Sequence, residues 1–254
     1  MLIQQSLGLP QLNILKLKWQ ILDFLYPPFC CSCGRIGYEI CPTCFAKIEE
    51  TCEIQVCHIC GDLTQRPSPC TKCEKDIPEY KQMRSWGVYS GVLREAIHRL
   101  KYERGLGIIN TLLEPIIIFL QTWKINPELI MAVPLSPRRL RSRGYNQSEI
   151  IAKPIAENLG INNSSKGISR IRDTQSQVGL TAKQRKKNLL NAFHADGAIC
   201  NKKIVLLVDD IATTGTTFNE GAKALKQAGA KEVFCFTLAR AFGFSKFPVG
   251  TINN

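Results

Sequence analysis

The sequence predicts an α/β protein in which a mostly parallel sheet has helices on both faces and a small cysteine-rich module precedes it. Three observations support this prediction. Residues 204–208 are apolar and mostly β-branched or leucine, without polar alternation, as is typical of a strand buried on both faces. Segments typical of strands and of helices alternate from Met83 onward. Ten of the twelve cysteines lie earlier, between residues 30 and 73.

The first half of the α/β region contains two predicted strands and three predicted helices. A strand is expected at residues 86–89, followed by a helix with Leu93, Ile97 and Leu100 on one face and by a second helix from about Leu106 to Trp123. Residues 129–134 predict another strand. A third helix is expected at 146–159, with Asn146 as its N-cap and Glu149 three residues later. Pro154 lies inside it and is expected to kink or shorten it.

The second half continues the alternation. Thr181 and Gln184 predict a capping box that opens a basic helix. The strand at 204–208 then leads into a helix that ends near Ala228, and a last strand is expected at 232–238.

We divide the chain into three parts: an N-terminal amphipathic helix (1–26), a cysteine-rich module (27–80) and an α/β domain (81–254). Lys16 and Lys18 interrupt the apolar N-terminal segment, and we see no small-residue cleavage site, so neither a signal peptide nor a membrane span is expected. A cytoplasmic protein is the natural expectation. A peripheral amphipathic helix is the alternative to a helix packed on its own protein.

The strand at 204–208 is followed by two aspartates and a threonine-rich loop, which are candidate ligand-binding residues. Asp209 and Asp210 follow it, and ligands of parallel sheets bind at this end of the strands. Two ionised carboxylates accept hydrogen bonds, which suits the paired hydroxyls of a ribose. The threonine loop (residues 213–217) offers hydroxyls, backbone N–H groups and Gly215 where a helix starts, which suits a phosphate. Simple helix capping is the alternative, although it needs only one oxygen. Thr217 and Glu220 predict a capping box.

The cysteines form two similar groups of two Cys-x-x-Cys pairs each, which predicts tetrahedral metal sites. Structural zinc is expected, because four thiolates leave no open position for a substrate; an iron–sulfur cluster is the alternative. Whether the pairs close within each group or cross between groups is left open by the spacing. The predicted ligands are Cys30, Cys33, Cys41 and Cys44 for the first cysteine group, and Cys57, Cys60, Cys70 and Cys73 for the second.

The net charge is +12, from 33 basic and 21 acidic residues. Such a balance favours polyanionic partners, either a phosphorylated small molecule or a nucleic acid.

The segment around Asp209 resembles the phosphoribosyl-diphosphate (PRPP) signature of type I phosphoribosyltransferases, and the surrounding chain, apart from the first twenty and the last dozen residues, resembles the ComF family. The resemblance covers nearly everything after residue 20. It rests on matching motifs at residues 27–30, 97–102, 133–135, 137–140, 143–147, 170–174 and 209–217, with Gln177, Leu180, Arg185, Asn188 and Phe193.

The resemblance implies a type I phosphoribosyltransferase fold that binds PRPP together with Mg²⁺. It implies a diphosphate-binding loop after the strand at 129–134, where a few of the arginines at 138, 139, 141 and 143 are expected to pair with the leaving diphosphate; a solvated basic turn or a nucleic-acid patch is the alternative. It also implies a flexible loop over the site at residues 170–187, which contains Arg172, Gln177 and Arg185. It also favours Cys30 over Cys31 as the first metal ligand. The implied PRPP-binding residues, of which Asp209 and Asp210 also stabilise the transition state, are Asp209, Asp210, Ala212, Thr213, Thr214, Gly215, Thr216, Thr217, Leu135, Ser136, Arg138 and Lys101.

Two functions follow from the resemblance. The first is transfer of phosphoribose from PRPP to an acceptor that the sequence does not identify, in a protein linked to competence and DNA uptake. The second is a non-catalytic accessory of natural transformation that binds single-stranded DNA, meets DNA-uptake or recombination proteins and uses the fold to sense PRPP. Few aromatic residues accompany the basic stretches, which weakens the case for base stacking.

Overall fold

The computed structural model describes residues 27–65, 69–103, 105, 107–172 and 189–242. The predicted helix at 1–26, the basic helix opened by Thr181, and the loop residues Gln177 and Arg185 lie outside these ranges. The strands are β1 (Gln82–Val88), β2 (Leu129–Ala132), β3 (Asn162–Asn163), β4 (Ile168–Arg170), β5 (Phe193–Ala195), β6 (Ile204–Ala212) and β7 (Glu232–Arg240). The helices are α1 (Pro42–Phe45), α2 (Thr71–Lys75), α3 (Gly91–Tyr102), α4 (Ile108–Thr122), α5 (Pro137–Arg143), α6 (Gln147–Leu159), α7 (Gly197–Cys200) and α8 (Thr216–Gln227), with a 3-10 turn at Thr51–Glu53.

The main sheet has the strand order β1-β7-β6-β2-β3, and all its neighbouring strands are parallel. Residues in β6 alternate between two apolar cores. Leu206 and Val208 pack in the core that contains α3, α4 and α6, while Val205 and Leu207 pack in the core that contains α8. This arrangement confirms the prediction of a parallel sheet covered on both faces.

Two details differ from the predicted elements. Strand β1 begins at Gln82, four residues before the predicted start. Helix α6 runs through Pro154 without being shortened and ends at Leu159, where Gly160 adopts a left-handed conformation. The proline removes one backbone hydrogen bond, but Ile151 and Ile155 are fully buried against the sheet, and this packing offsets the loss. Strands β4 and β5 form a separate antiparallel pair that was not predicted.

The cysteine-rich region covers β1, which is an edge strand of the sheet. The N–H groups of Met83 and Val88 donate to the carbonyl oxygens of Ile59 and Glu49, both at 2.8 Å. These contacts satisfy backbone groups that would otherwise form an open sheet edge.

Within the described part of the chain, no helix combines the length and the apolar character needed to cross a bilayer.

Candidate functional site

A cleft of about 660 Å³ opens at the carboxyl ends of β2 and β6. Both strands are central in the sheet, so the segments that follow them meet at one edge, as expected for a parallel sheet. The walls of the cleft are formed by Lys101, Tyr102, Val133, Pro134, Leu135, Arg139, Ser142, Arg143, Tyr145, Gln147, Arg170 and the continuous segment from Asp209 to Phe218.

The acidic pair lies at the end of β6 and is held by specific contacts. Asp209 Oδ1 accepts hydrogen bonds from the Ser148 hydroxyl at 2.7 Å and from the Asp210 N–H at 2.9 Å. Burial and the neighbouring Asp210 carboxylate together raise the pKa of Asp209 to about 7. Asp210 is 4% exposed, and its Oδ2 lies 2.7 Å from the Lys101 ammonium. Lys101 therefore supplies a positive charge directly to the carboxylate pair.

The threonine loop connects β6 to α8. Gly215 has a φ of +75° and is the N-cap of α8, while the hydroxyls of Thr214 and Thr216 are hydrogen-bonded at 2.8 Å. The predicted Thr217–Glu220 capping box is wrong, because α8 begins at Thr216 and no side chain caps it. Glu220 is instead buried. Its Oε2 accepts from the N–H of Asn191, which occupies the left-handed region at φ 52°.

Arginines form the basic part of the cleft. Arg143 lies with its guanidinium carbon 5.3 Å from the centre of the Tyr102 ring and donates to Gln147 Oε1. Arg139 lies one turn earlier on α5. Arg170, which is only 7% exposed, packs over the Phe193 ring at 5.6 Å. These groups place positive charge in the same cleft as the two carboxylates and the helix N-terminus, which suits an anionic ligand.

A series of side-chain contacts joins the basic and acidic parts of the cleft. Arg143 donates to Gln147, Gln147 Nε2 lies 3.5 Å from the Ser148 hydroxyl, and that hydroxyl donates to Asp209. Gln147 and Ser148 are buried at the start of α6, where Asn146 Oδ1 accepts from the Ser148 N–H at 3.1 Å. The orientation of Asp209 is thus set by the first turn of α6.

The eight predicted cysteines form two clusters, each closed within its own group. In each cluster the four sulfur atoms lie within 4.8 Å of one another. The sulfurs of Cys33 and Cys41 are 3.6 Å apart, and those of Cys60 and Cys70 are 3.7 Å apart. A Zn–S bond of about 2.3 Å in a tetrahedron requires sulfurs about 3.8 Å apart, so both clusters can hold zinc. The structure thereby decides the pairing that the spacing left open.

Backbone donors favour the thiolate at Cys30 and Cys57, whereas burial raises the pKa of Cys44, Cys60 and Cys73. Burial raises the pKa of Cys30, but N–H groups of Cys33, Cys41 and Ser32 outweigh it and lower the pKa to about 6. In the second cluster, burial also raises the pKa of Cys57, but backbone N–H groups outweigh it and lower that pKa to about 7. Hydrogen bonds to the thiolate favour the form that binds metal.

Comparison with known proteins identifies the family. Residues 146–243 match the phosphoribosyl transferase domain model. The chain is 33% identical over 209 residues to DNA utilization protein YhgH of Salmonella typhimurium, covering 80% of this chain and 91% of that protein. It is 33% identical over 212 residues to competence protein F of Haemophilus influenzae, covering 80% of this chain and 90% of that protein. The chain belongs to the ComF family. Competence protein ComFC of Bacillus subtilis is 25% identical over 219 residues, covering 80% of this chain and 85% of that protein.

Most of the predicted ligand-binding residues of this ComF-family protein converge on one cleft: Lys101, Leu135, Asp209, Asp210, Ala212, Thr213, Thr214, Gly215, Thr216 and Thr217. Two others do not line it. Ser136 is buried as the N-cap of α5 and accepts from the Arg139 N–H at 3.4 Å. Arg138 is exposed and lies outside the cleft wall. Arg172 is also exposed, and its guanidinium donates to the Leu190 carbonyl oxygen at 2.9 Å.

The prediction did not name the cleft residue Gln147 or the fully buried Ser148, which holds Asp209, and it included Arg170 only as the start of the covering loop, whereas Arg170 lines the cleft. Arg170 belongs to a motif that carried the family resemblance, but its burial beside the cleft depends on the unpredicted β4–β5 pair. Ser148 had a local signal, because it lies two residues after the predicted N-cap Asn146. Only the packing of α6 against β6 shows that its hydroxyl meets Asp209.

Proposed function

We propose that this protein binds PRPP with Mg²⁺ in the cleft and transfers the phosphoribosyl group to an acceptor. The observation that carries the proposal is that Asp209, Asp210 and the threonine loop share one cleft with Arg139 and Arg143. Such a cleft offers hydrogen-bond acceptors for a ribose, a helix N-terminus for one phosphate and guanidinium groups for a second anionic group. Its volume of about 660 Å³ lies within the usual range for small-molecule sites.

The ribose phosphate would occupy the half of the cleft formed by β6 and α8. Asp209 and Asp210 would accept hydrogen bonds from the two ribose hydroxyls. The hydroxyls and N–H groups of the threonine loop would bind the 5-phosphate, where the helix dipole favours negative charge.

The diphosphate would occupy the half formed by α5 and the segment after β2. We assign its contacts to Arg139 and Arg143 in place of Arg138, because these two guanidinium groups line the cleft. Leu135, within that segment, lines the same cleft. Bound Mg²⁺ would supply charge neutralisation at the diphosphate oxygens.

Transfer breaks the bond between ribose C1 and the diphosphate, which leaves with the electron pair, and the nucleophilic atom of the acceptor donates an electron pair to form the new bond to C1. The ribose ring then carries positive charge, and the carboxylates of Asp209 and Asp210 stabilise it electrostatically. Lys101 holds the Asp210 carboxylate by its ion pair. The predicted loop with Arg172, Gln177 and Arg185 would cover the cleft and exclude water, which would otherwise capture this cation.

We propose zinc as the metal of both cysteine groups and the cytoplasm as the location. Complete sulfur coordination matches a structural zinc site, and reducing conditions keep the thiols available.

A DNA-binding role is the second candidate. It is favoured by the net charge of +12 and by the names of relatives in competence and DNA utilization. In that case the arginines of the cleft would meet DNA phosphates, and the affinity for a single strand would fall steeply with salt.

The test is calorimetric titration of the zinc-loaded protein with PRPP and Mg²⁺, followed by an assay for slow diphosphate release. Binding with release supports a transferase. Binding without release supports a PRPP sensor and argues against catalysis. If PRPP does not bind while a single-stranded oligonucleotide does, the cleft assignment is wrong and the DNA-binding role replaces it.

A further inference from the structure

The second cysteine group contacts the threonine loop, which also lines the cleft. Lys72 lies between the ligands Cys70 and Cys73, and its ammonium donates to the carbonyl oxygen of Thr214 at 2.9 Å. A small cavity of about 80 Å³ lies at this contact, with Cys60 and Cys73 on one side and residues 214–216 on the other. Residues 214–216 therefore line both the cleft and this small cavity.

The bond from Lys72 orients a backbone N–H. A trans peptide is planar, so its C=O and N–H point to opposite sides. Because Lys72 holds the Thr214 carbonyl toward the cysteine group, the N–H of Gly215 points away from that group. Gly215 also lines the cleft, and it is the first residue of the helix N-terminus that would receive a phosphate.

Two further contacts limit the position of the loop. The Tyr80 hydroxyl lies 3.1 Å from where a Cβ on Gly215 would be, and Tyr80 is only 5% exposed. The N–H of Glu79 donates to Asn219 Oδ1, in the first turn of α8, at 2.8 Å. Residues 72–80 thus contact both the loop and the helix that follows it.

We infer that Lys72 is a positioning residue for phosphate binding, and that metal in the second cysteine group and a ribose phosphate in the cleft stabilise each other. The inference rests on the proposed function. Helix α2 has only five residues. Its N-cap Cys70 and its third residue Cys73 are both predicted metal ligands, so metal coordination fixes where Lys72 lies. Thermodynamic linkage requires the coupling to act equally in both directions.

The first test compares Lys72→Met with Lys75→Met, which removes an exposed ammonium from the same short helix. Calorimetry with ribose 5-phosphate should show about fivefold weaker binding for Lys72→Met, as expected for one lost hydrogen bond, and a change within about twofold for Lys75→Met. Lys72→Arg should restore most of the affinity. Both methionine variants should keep the metal content of the native protein.

The second test measures metal release to the chromophoric chelator 4-(2-pyridylazo)resorcinol, with and without saturating ribose 5-phosphate. We expect the ligand to slow the release of one of the two metal ions of each native chain, and we expect Lys72→Met to abolish this protection. Equal affinity of native and Lys72→Met proteins, or release that does not respond to ligand, would overturn the inference while leaving the proposed function intact. Failure of the native protein to bind ribose 5-phosphate or PRPP would overturn both.

Discussion

The two cysteine groups have the same motif but different surroundings. In the first, Cys30, Cys41 and Cys44 belong to the core that contains Trp86 and Leu93, on the face of the sheet covered by α3. In the second, Cys57, Cys60 and Cys73 belong to the core on the opposite face, next to Phe218 and the threonine loop. The same ligand pattern therefore lies in a core on each face of the sheet, and the second group also lies beside the threonine loop.

Polar contacts also join the first group and the residues around it to helix α3 and strand β1. Arg99 of α3 donates to the Phe29 carbonyl oxygen and lies 3.7 Å from the Glu39 carboxylate. The Thr51 hydroxyl donates to the Ser85 carbonyl oxygen of β1. These contacts join residues 29–51 to the core rather than to the cleft.

The largest effect is expected when the same metal ligand is replaced in each of the two cysteine groups. Cys41 and Cys70 are the third cysteines of their groups, and each is the N-cap of a short helix. Cys41→Ser should lower the free energy of unfolding by about 4 kcal/mol or more, because Cys41 is fully buried in the core. Cys70→Ser should cost less stability but should weaken PRPP binding. Chemical denaturation and calorimetry would measure the two effects, and indistinguishable variants would contradict the proposed division between the groups.

The second prediction tests whether ligand binding in the cleft can be lost without any change at the two cysteine groups. Asp209→Asn combined with Asp210→Asn should weaken PRPP binding about 100-fold, because the two proposed hydrogen bonds from the ribose would lose the negative charge of their acceptors. Metal content should not change. Asp196→Asn, at an exposed N-cap remote from the cleft wall, is the matched control. Calorimetric affinity unchanged in the double variant would show that the site assignment is wrong.

The third prediction uses two glycines, each beside a different cysteine group. A Cβ at Gly87 of β1 would lie 2.5 Å from Leu93 Cδ2 and 3.2 Å from the Glu49 carbonyl oxygen. Gly87→Ala should therefore lower stability by about 1–3 kcal/mol without changing the affinity of the folded protein.

Gly215→Ala is its counterpart at the second group. Its φ of +75° makes alanine cost about 1–2 kcal/mol, and the new Cβ would press on Tyr80. We expect PRPP affinity to fall along with stability. Thermal melting and titration of both variants would test this, and a loss of affinity confined to Gly87→Ala would reverse the roles of the groups.

The smallest effect is a pH dependence that belongs to the cleft alone. Because the pKa of Asp209 is raised to about 7 from an ordinary 3.8, the folded protein keeps a proton that the unfolded chain releases. Asp209 should therefore make stability fall as the pH rises between these two values. PRPP affinity should rise through about pH 7, because the ionised carboxylate is the better acceptor.

Titrations at several pH values would check this. Asp209→Asn should remove the component near pH 7 and leave only the ionisation of the ligand phosphate. Ser148→Ala should move that component upward, since the Ser148 hydroxyl lowers the pKa of Asp209. The same pH profile in native and Asp209→Asn proteins would exclude Asp209 as its source.

Local patterns predicted much of the fold for identifiable reasons. The uninterrupted apolar run in β6 indicated burial on both faces, and the Cys-x-x-Cys pairs indicated metal sites. Pro154 did not shorten α6, because the buried face of the helix outweighs the loss of one hydrogen bond. The capping box predicted from Thr217 and Glu220 was also wrong, because the spacing of these two residues does not reveal that the Glu220 carboxylate accepts a hydrogen bond from Asn191.

The sequence by itself determined the fold class, the eight clustered cysteines and the acidic and threonine-rich segment, because each is encoded in neighbouring residues. Only the tertiary structure decided that the cysteine pairs close within each group, that Arg139 and Arg143 rather than Arg138 line the cleft, and that Ser148 holds Asp209. It also decided that Lys72 contacts Thr214, 142 residues away in the chain. Such contacts depend on how the faces of the sheet and helices meet, and local propensity and spacing carry no information on that.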